Sequence, residues 1–235
     1  MDMYRAAIFD MDGTILNTIE DLTSALNYAM KKAGHRHNYS VEEVKQFFGS
    51  GVKVAMMRAI AYEEGMSEEE LVKVGTADSS VKESDEIDDI QKIFRPYYKE
   101  HCKIKTGPYE GILSLLMTLR KKGVKLAVVS NKQNDAVMEL VKDQFEGYFD
   151  FVIGEKEGVR RKPAPDMIES CLAELHVNKE EAVYIGDSEI DIQSAKNAKM
   201  DCVSVSWGFR KRAFLEQYEN IHIVDTVEEL KASLL

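Results

Sequence analysis

The sequence predicts an α/β protein whose parallel sheet is interrupted, soon after its first strand, by an all-helical insertion. The first strand is a short apolar run at residues 4–9. Residues 17–105 then show helical patterns and no convincing strand. From Glu110 onwards, short apolar runs alternate with helical segments, which is typical of the crossover units of a parallel sheet. We therefore expect a discontinuous α/β core, residues 1–16 with 106–235, and a helical domain, residues 17–105.

Serine and glutamate spacings indicate where helices start within the insertion. Both Ser40-Val41-Glu42-Glu43 and Ser67-Glu68-Glu69-Glu70 fit the capping box, in which a serine and a glutamate three residues later satisfy free N–H groups. Apolar residues follow each box at helical spacing. Helices are predicted after Asn17 or Thr18, after Ser40, after Gly49-Ser50-Gly51, after Ser67 and around Ile90, where Pro96 marks a kink or a new start.

The second half of the sequence completes a predicted six-stranded sheet with helices between successive strands. The expected result is a three-layer, Rossmann-like core in which helices cover both faces of the sheet. In such open sheets the ligand site lies beyond the carboxyl ends of the strands, so the residues that follow each strand are the informative ones. The predicted strands are residues 4–9, 124–129, 149–153, 182–185, 202–205 and 221–224, and the helices between and after them are residues 110–122, 134–144, 165–176, 190–198, 212–218 and 227–234.

The composition argues against several classes of function. The chain has 235 residues, of which 44% are hydrophobic and 31% charged, and its formal net charge is −10. Binding to nucleic acid or to an anionic membrane needs a clustered excess of Lys and Arg, so neither is expected. Cys102, Cys171 and Cys202 are widely spaced and form no CxxC pair, which indicates neither a disulfide framework nor a zinc site. With no apolar signal segment and no run of membrane-spanning length, we expect a cytoplasmic protein, and no protein partner is indicated.

The first predicted strand ends in two aspartates and a glycine. Residues two apart in an extended segment project to the same side, so Asp10 and Asp12 can converge on one point beyond the strand. Two carboxylates that close repel each other unless a cation lies between them, and oxygen ligands suit a hard ion such as Mg²⁺. The alternative interpretation is that Asp12-Gly13 only forms a turn.

Polar residues from three further segments are expected at the same edge of the sheet. Ser130-Asn131 follows the second strand, Lys162-Pro163 follows the third by a loop, and Gly186-Asp187-Ser188-Glu189-Ile190-Asp191 follows the fourth. Each segment alone has a structural explanation, as a helix cap or as one charge in a basic run. Together they supply carboxylates, a hydroxyl, an ammonium group and main-chain N–H groups, which suit a phosphoryl group with magnesium. An aspartate in such a site can serve as a nucleophile and form an acyl phosphate.

These motifs resemble those of the haloacid dehalogenase superfamily of phosphatases, and the resemblance covers essentially the whole chain. It implies a magnesium-dependent enzyme that forms an aspartyl phosphate. It also implies that the helical insertion is a cap that excludes water and chooses the substrate. The implied roles are Asp10 as nucleophile, Asp12 as general acid/base, Ser130 and Lys162 as phosphate clamps, Gly13 and Asn131 as further phosphate-binding residues, Asp10, Asp187 and the main-chain carbonyl of Asp12 as metal ligands, and Asp191 as a support for the metal waters or for Lys162.

Three segments are most similar to the phosphoglycolate phosphatase-like branch of this superfamily. They are Gly49-Ser50-Gly51, Ser130-Asn131-Lys132 and Trp207-Gly208-Phe209. That branch more often has Gly-Asn-Gly in the cap, and Asp-Ser where Asn17-Thr18 stands here, which leaves the substrate open. The resemblance implies hydrolysis of a small phosphomonoester such as phosphoglycolate. A β-phosphoglucomutase-like phosphomutase and an inorganic pyrophosphatase are alternatives that the same motifs allow.

Two basic residues follow the glycine pair of the insertion, Lys53 and Arg58. One interpretation is that they reach a carboxylate or a second phosphate of the substrate. The favoured interpretation is that both are solvated charges on the surface of a helix.

Overall fold

The structure is a computed structural model that describes residues 4–235. The chain forms two compact units: one ends at Asn17 and resumes at Gly107, and the other is Thr18–Thr106. The predicted domains, 1–16 with 106–235 and 17–105, divide the chain one residue away from these boundaries, and the first three residues of the predicted core lie outside the described residues. That the two units are a catalytic core and a cap stays a prediction.

The described residues contain eight strands, β1 (Ala6–Phe9), β2 (Leu16–Asn17), β3 (Gly107–Pro108), β4 (Lys125–Gln133), β5 (Phe151–Glu155), β6 (Ala182–Gly186), β7 (Asp201–Val205) and β8 (His222–Val224). Six of them form a parallel sheet in the first unit, in the order β5-β4-β1-β6-β7-β8, which confirms the predicted fold class. The helices are α1 (Ile19–Ala33), α2 (Val41–Phe47), α3 (Val52–Glu63), α4 (Glu68–Leu71), α5 (Asp85–His101), α6 (Ile112–Lys121), α7 (Asn134–Gln144), α8 (Asp166–Leu175), α9 (Glu189–Ala198), α10 (Arg212–Leu215) and α11 (Val227–Leu234), with a 3-10 helix at Lys179–Glu181.

The side chains of the central strand β1 show why the core has three layers, helices, sheet and helices. Successive side chains of a strand point to opposite faces, so its four buried residues divide between two hydrophobic clusters. Ala7 and Phe9 pack with residues of α6, α7 and α11. Ala6 and Ile8 pack with residues of α8 and α9. The sheet is therefore covered by helices on both faces, as predicted.

A two-stranded ladder, β2 with β3, was missed. Leu16 pairs with Pro108 and Asn17 with Gly107 in an antiparallel register. A period-two pattern cannot be recognised in two residues, so no sequence signal marked it. The strand β4 also differs from its prediction, because it continues to Gln133 after an irregularity in its pairing with β5.

The helical unit starts its helices largely where the sequence indicated. In the first capping box the Ser40 N–H donates to Glu43 at 2.7 Å, and the Glu43 N–H donates to the Ser40 hydroxyl at 3.3 Å. Ser67 and Glu70 form the second box. Pro96 lies inside α5 and is not a new start.

The interpretation of Arg58 as a solvated charge was wrong. Its side chain is 1% exposed within the helical unit. Lys53, the other basic residue, forms ion pairs with Glu83 at 2.7 Å and with Asp88 at 2.9 Å. The spacing of charges along a helix does not show which main-chain carbonyls other segments bring to a side chain, and here the end of α2 and the turn after α4 bring them. The Arg58 guanidinium lies 3.3–3.5 Å from the main-chain carbonyls of Gln46, Phe47, Val72 and Val74.

One carboxylate ties the two ends of the helical unit together. Asp21, in the first turn of α1, accepts hydrogen bonds from the Thr106 N–H and hydroxyl, both at 2.9 Å. It also accepts one from the Lys105 N–H at 3.0 Å. The unit therefore begins and ends at the same place.

Among the described residues, no helix is long and apolar enough to cross a membrane.

Candidate active site

The carboxyl ends of β1 and β6 bring three aspartates together. Asp10 directly follows β1, and Asp187 directly follows β6, its neighbour in the sheet. Asp191 lies in the first turn of α9. All three side chains are buried, and a carboxylate oxygen of each lies within 4.8 Å of the others. Polar residues that follow two of the predicted strands therefore lie together at this edge of the sheet.

Lys162 supplies the positive charge at the centre of this cluster. Its ammonium nitrogen lies 2.8 Å from Asp10 Oδ1, 2.7 Å from Asp191 Oδ1 and 3.0 Å from the Tyr184 hydroxyl. An ammonium group has three N–H donors, and the two carboxylates and the tyrosine hydroxyl are within hydrogen-bond distance of it. Burial opposes the charge, but the carboxylates of Asp10 and Asp191 outweigh it and hold the pKa of Lys162 well above its usual value. The lysine is therefore cationic.

Asn131 positions the main chain at Lys162. Its side-chain NH₂ donates to the Lys162 carbonyl at 3.1 Å, and its side-chain oxygen accepts from the Lys162 N–H at 2.9 Å. The Lys162–Pro163 peptide bond is cis. This pair of hydrogen bonds links the end of β4 to the loop that carries the lysine.

Asp191 is held by donors on both of its oxygens. Oδ1 accepts from Lys162, and the Tyr184 hydroxyl lies 3.2 Å away. Oδ2 accepts from the Ser188 hydroxyl at 2.6 Å and from the main-chain N–H groups of Ser188 and Asp187 at 3.1 and 3.3 Å. Sequence reasoning missed Tyr184 because a tyrosine in a buried strand usually only fills the core. Its position two residues before Gly186, near the carboxyl end of β6, was the available signal.

Asp187 requires two glycines near it. Its Oδ1 accepts from the Thr14 hydroxyl at 3.2 Å, and its Oδ2 accepts from the Phe209 N–H at 2.6 Å. A Cβ atom on Gly13 or on Gly208 would overlap the Asp187 carboxylate, and Gly13 also has a positive φ of 87°. The segment after β7 thus helps to hold Asp187, which the sequence did not indicate.

Ser130 and Lys132 complete the edge of the site at the end of β4. Ser130 is 2% exposed, and its hydroxyl oxygen accepts from the Lys132 N–H at 3.2 Å. The Lys132 ammonium nitrogen lies 2.9 Å from each oxygen of Asp12. The side chain of Asp12 thus bonds to Lys132 and is outside the three-aspartate cluster. The sequence singled out Lys132 only as part of a motif.

The electrostatics of the cluster favour an additional cation. Burial raises the pKa of Asp10 to about 7, although Lys162 opposes this shift. Burial and the charges of Asp191 and Asp10 raise the pKa of Asp187 well above its usual value. Three carboxylates around one ammonium group leave negative charge that burial makes unfavourable. Their oxygens are the donor type that hard divalent cations prefer, so this chain fits such a metal.

Known proteins similar to this chain agree on its family. The family model described as "Haloacid dehalogenase-like hydrolase" matches residues 7–205. A phosphoglycolate phosphatase from Psychrobacter arcticus is 30% identical over 97% of this chain and 94% of its own length. A pyrophosphatase from Bacillus mycoides is 25% identical over 96% of this chain and 94% of its own length.

Solved structures agree as well. A crystal structure from Lactobacillus delbrueckii, named as a candidate phosphoglycolate phosphatase, is 56% identical with a TM-score of 0.97, and the match covers 99% of both chains. The predicted resemblance and the predicted enzyme class are thus confirmed. The chain belongs to the haloacid dehalogenase-like hydrolases and is a phosphatase of their phosphoglycolate phosphatase-like branch.

Proposed function

We propose that this phosphatase hydrolyses a small phosphomonoester, with phosphoglycolate as the first candidate, through an aspartyl phosphate on Asp10 and with Mg²⁺ as its cofactor. The observation that carries the proposal is the buried Asp10–Lys162 pair, at 2.8 Å, beside Asp187 at the carboxyl edge of the sheet. A nucleophile, a cationic clamp and a metal-binding carboxylate are then adjacent. The name of the relative from Psychrobacter arcticus supports phosphoglycolate as the substrate.

One group of residues binds the phosphate oxygens, and another holds the metal. Lys162 and the Ser130 hydroxyl bind phosphate oxygens, together with main-chain N–H groups near Gly13 and Asn131. Asp10, Asp187 and the main-chain carbonyl of Asp12 hold the metal. Asp191 supports Lys162 and the metal shell, because both of its oxygens already accept hydrogen bonds. When bound, Mg²⁺ offsets carboxylate charge and polarises a phosphate oxygen.

The residues of the chain then perform two chemical steps. In the first, a carboxylate oxygen of Asp10 forms a bond to phosphorus, the ester P–O bond breaks, and Asp12 donates a proton to the leaving alkoxide. In the second, Asp12 takes a proton from water, the hydroxide oxygen attacks phosphorus, and the bond to Asp10 breaks. Inorganic phosphate leaves, and Asp10 is again a carboxylate.

In this proposal the helical unit is the cap. Thr18–Thr106 acts as the cap that selects the substrate, and the other unit is the catalytic core. A cytoplasmic location and the absence of nucleic-acid, membrane and protein partners remain predictions from the sequence.

Inorganic pyrophosphate is the second candidate substrate, because the chain is similar to a pyrophosphatase over nearly its full length. Phosphate release from phosphoglycolate, sugar phosphates, nucleotides and pyrophosphate, with Mg²⁺ or with chelator, distinguishes these substrates. Magnesium-dependent release that is fastest with phosphoglycolate is expected. Fastest release from pyrophosphate would replace the substrate proposal. Isomerisation of hexose 1-phosphate without net phosphate release would replace hydrolysis by mutase chemistry.

Metal binding is expected to release protons. Burial raises the pKa of Asp10 to about 7, despite Lys162, and burial and neighbouring carboxylates raise that of Asp187, so a cation must displace protons near neutral pH. The apparent affinity for Mg²⁺ should therefore increase from about pH 6 to about pH 8. Calorimetry in two buffers with different ionisation enthalpies measures both quantities. An affinity that is the same at both pH values would contradict this prediction, and Asp187→Asn should weaken binding throughout.

A further inference from the structure

Lys132 makes a close and sheltered contact with the proposed general acid/base. Its ammonium nitrogen is 2.9 Å from Asp12 Oδ1 and 2.9 Å from Asp12 Oδ2. The side chain of Lys132 is 8% exposed and that of Asp12 is 18% exposed. Exposed ion pairs contribute little because water and salt screen them, but this pair is largely shielded from solvent. One ammonium group thus contacts both carboxylate oxygens, a geometry that favours a single orientation of the carboxylate.

The main chain of Lys132 is itself fixed. The residue lies within β4, and its N–H donates to the Ser130 hydroxyl oxygen at 3.2 Å. The next residue, Gln133, pairs with Glu155 of β5. Asp12 lies three residues after the last residue of β1, which pairs with β4. The ammonium group thus connects the ends of two neighbouring strands.

We propose that Lys132 is a positioning residue that holds the Asp12 carboxylate in the orientation needed for proton transfer to the leaving group. The inference rests on the proposed function, because it assigns Lys132 a task in the chemistry of Asp12. Without this contact the Asp12 side chain can adopt several staggered χ1 conformations, and its carboxylate can turn freely about χ2. Proton transfer requires the acid within hydrogen-bond reach of the leaving oxygen, and small misplacements lower rates strongly. Nothing in this task requires Lys132 to touch the substrate.

The leaving group provides a readout that a purely structural role would not affect. An alkyl phosphate such as phosphoglycolate needs a proton on its departing alkoxide, whereas p-nitrophenolate departs almost unaided. In Lys132→Met, kcat/KM for phosphoglycolate is expected to fall about 100-fold, and kcat/KM for p-nitrophenyl phosphate about threefold or less. Lys132→Arg should retain most of the activity towards phosphoglycolate, because a guanidinium can bind both carboxylate oxygens. Lys125→Met is the matched control, since Lys125 lies at the other end of β4 and donates to the Leu175 carbonyl.

A double-mutant cycle tests whether Lys132 acts through Asp12. If it does, adding Lys132→Met to Asp12→Asn should change kcat/KM for phosphoglycolate by about twofold or less. Equal losses for both esters, or a full additional loss in the Asp12→Asn background, would overturn the proposal. Lys132→Gln serves in the same assays if the methionine variant does not fold.

Failure of the proposed function gives a different result. In that case the unmodified enzyme releases no phosphate from any ester, or Asp10→Asn remains active. The positioning role is then tested by the crystal structure of Lys132→Gln, in which the Asp12 carboxylate should occupy a new or mixed conformation. An Asp12 side chain that is unchanged there would overturn the role of Lys132.

Discussion

Replacing Asp10 with asparagine is expected to lower phosphate release by a factor on the order of 10⁴ or more while the protein stays folded. Asparagine has nearly the same shape as aspartate, but its amide oxygen is not a competent nucleophile for forming the acyl phosphate. The folded state should tolerate the change, because Lys162 keeps its ion pair with Asp191 at 2.7 Å and because burial raises the pKa of Asp10 to about 7, which already disfavours its charged form. Phosphate release at saturating substrate, with a thermal melt of the same sample, measures both effects.

Asp201→Asn is a suitable control for this variant. Asp201 is exposed at the amino end of β7, where it accepts a hydrogen bond from the Tyr4 hydroxyl at 2.9 Å, so it lies at the opposite edge of the sheet from Asp10. Its replacement should leave turnover unchanged. If Asp10→Asn retained substantial turnover, another group would have to be the nucleophile. If it unfolded, Asp10 would be mainly a structural residue.

Replacing Lys162 with methionine is expected to abolish turnover and to lower the free energy of unfolding by about 3–5 kcal/mol. The variant leaves the carboxylates of Asp10 and Asp191 buried without the ammonium group that now lies within 2.8 Å of both. Breaking one side of a buried ion pair is costly because the remaining charge is neither hydrated nor compensated. Denaturant unfolding in the presence of chelator measures the loss, and Lys125→Met is a control within the same unit.

The destabilisation should depend on pH in a defined direction. The pKa of Asp10 is raised from 3.8 to about 7 in the folded protein, mainly by burial, and removal of Lys162 would raise it further. Above 3.8 and below its folded pKa, Asp10 binds a proton in the folded state that it does not bind in the unfolded state, so stability falls as the pH rises through this range. In the unmodified protein the fall ends near pH 7, whereas in the variant it continues to a higher pH. The loss relative to the unmodified protein should be larger at pH 8 than at pH 5. Added Mg²⁺ should restore part of it, and a loss that is the same at every pH would show that uncompensated charge is not its cause.

The sequence predicted the sheet and most helices because their signals are local. The buried run before Asp10, the alternation after Glu110 and the two capping boxes each lie within a few residues of the element they define. The ladder between β2 and β3 could not be predicted, because it joins short segments that are far apart in the sequence. Arg58 was misinterpreted for a related reason: the carbonyls that surround it come from other segments of the helical unit.

The sequence predicted which residues of the candidate site lie close together better than it predicted the contacts among them. Asp10, Lys162 and Asp187 were expected at one place because the polar residues after parallel strands meet at one edge of the sheet, and the structure places them there. The pairing of Lys132 with Asp12 depends on side-chain conformations across two strands, which no sequence spacing specifies. Tyr184 was overlooked because its ring belongs to the core while its hydroxyl belongs to the site.

The place where the helical unit leaves and rejoins the sheet unit has a consequence for modularity. Asn17 and Gly107 face each other in the β2–β3 ladder, and Asp21 joins the ends of Thr18–Thr106. The two chain ends of the helical segment are thus close together. A tight two-residue turn could join β2 directly to β3, since antiparallel strands are commonly connected that way. Segments of very different length can therefore be accommodated at this point without altering the order of the strands in the six-stranded sheet.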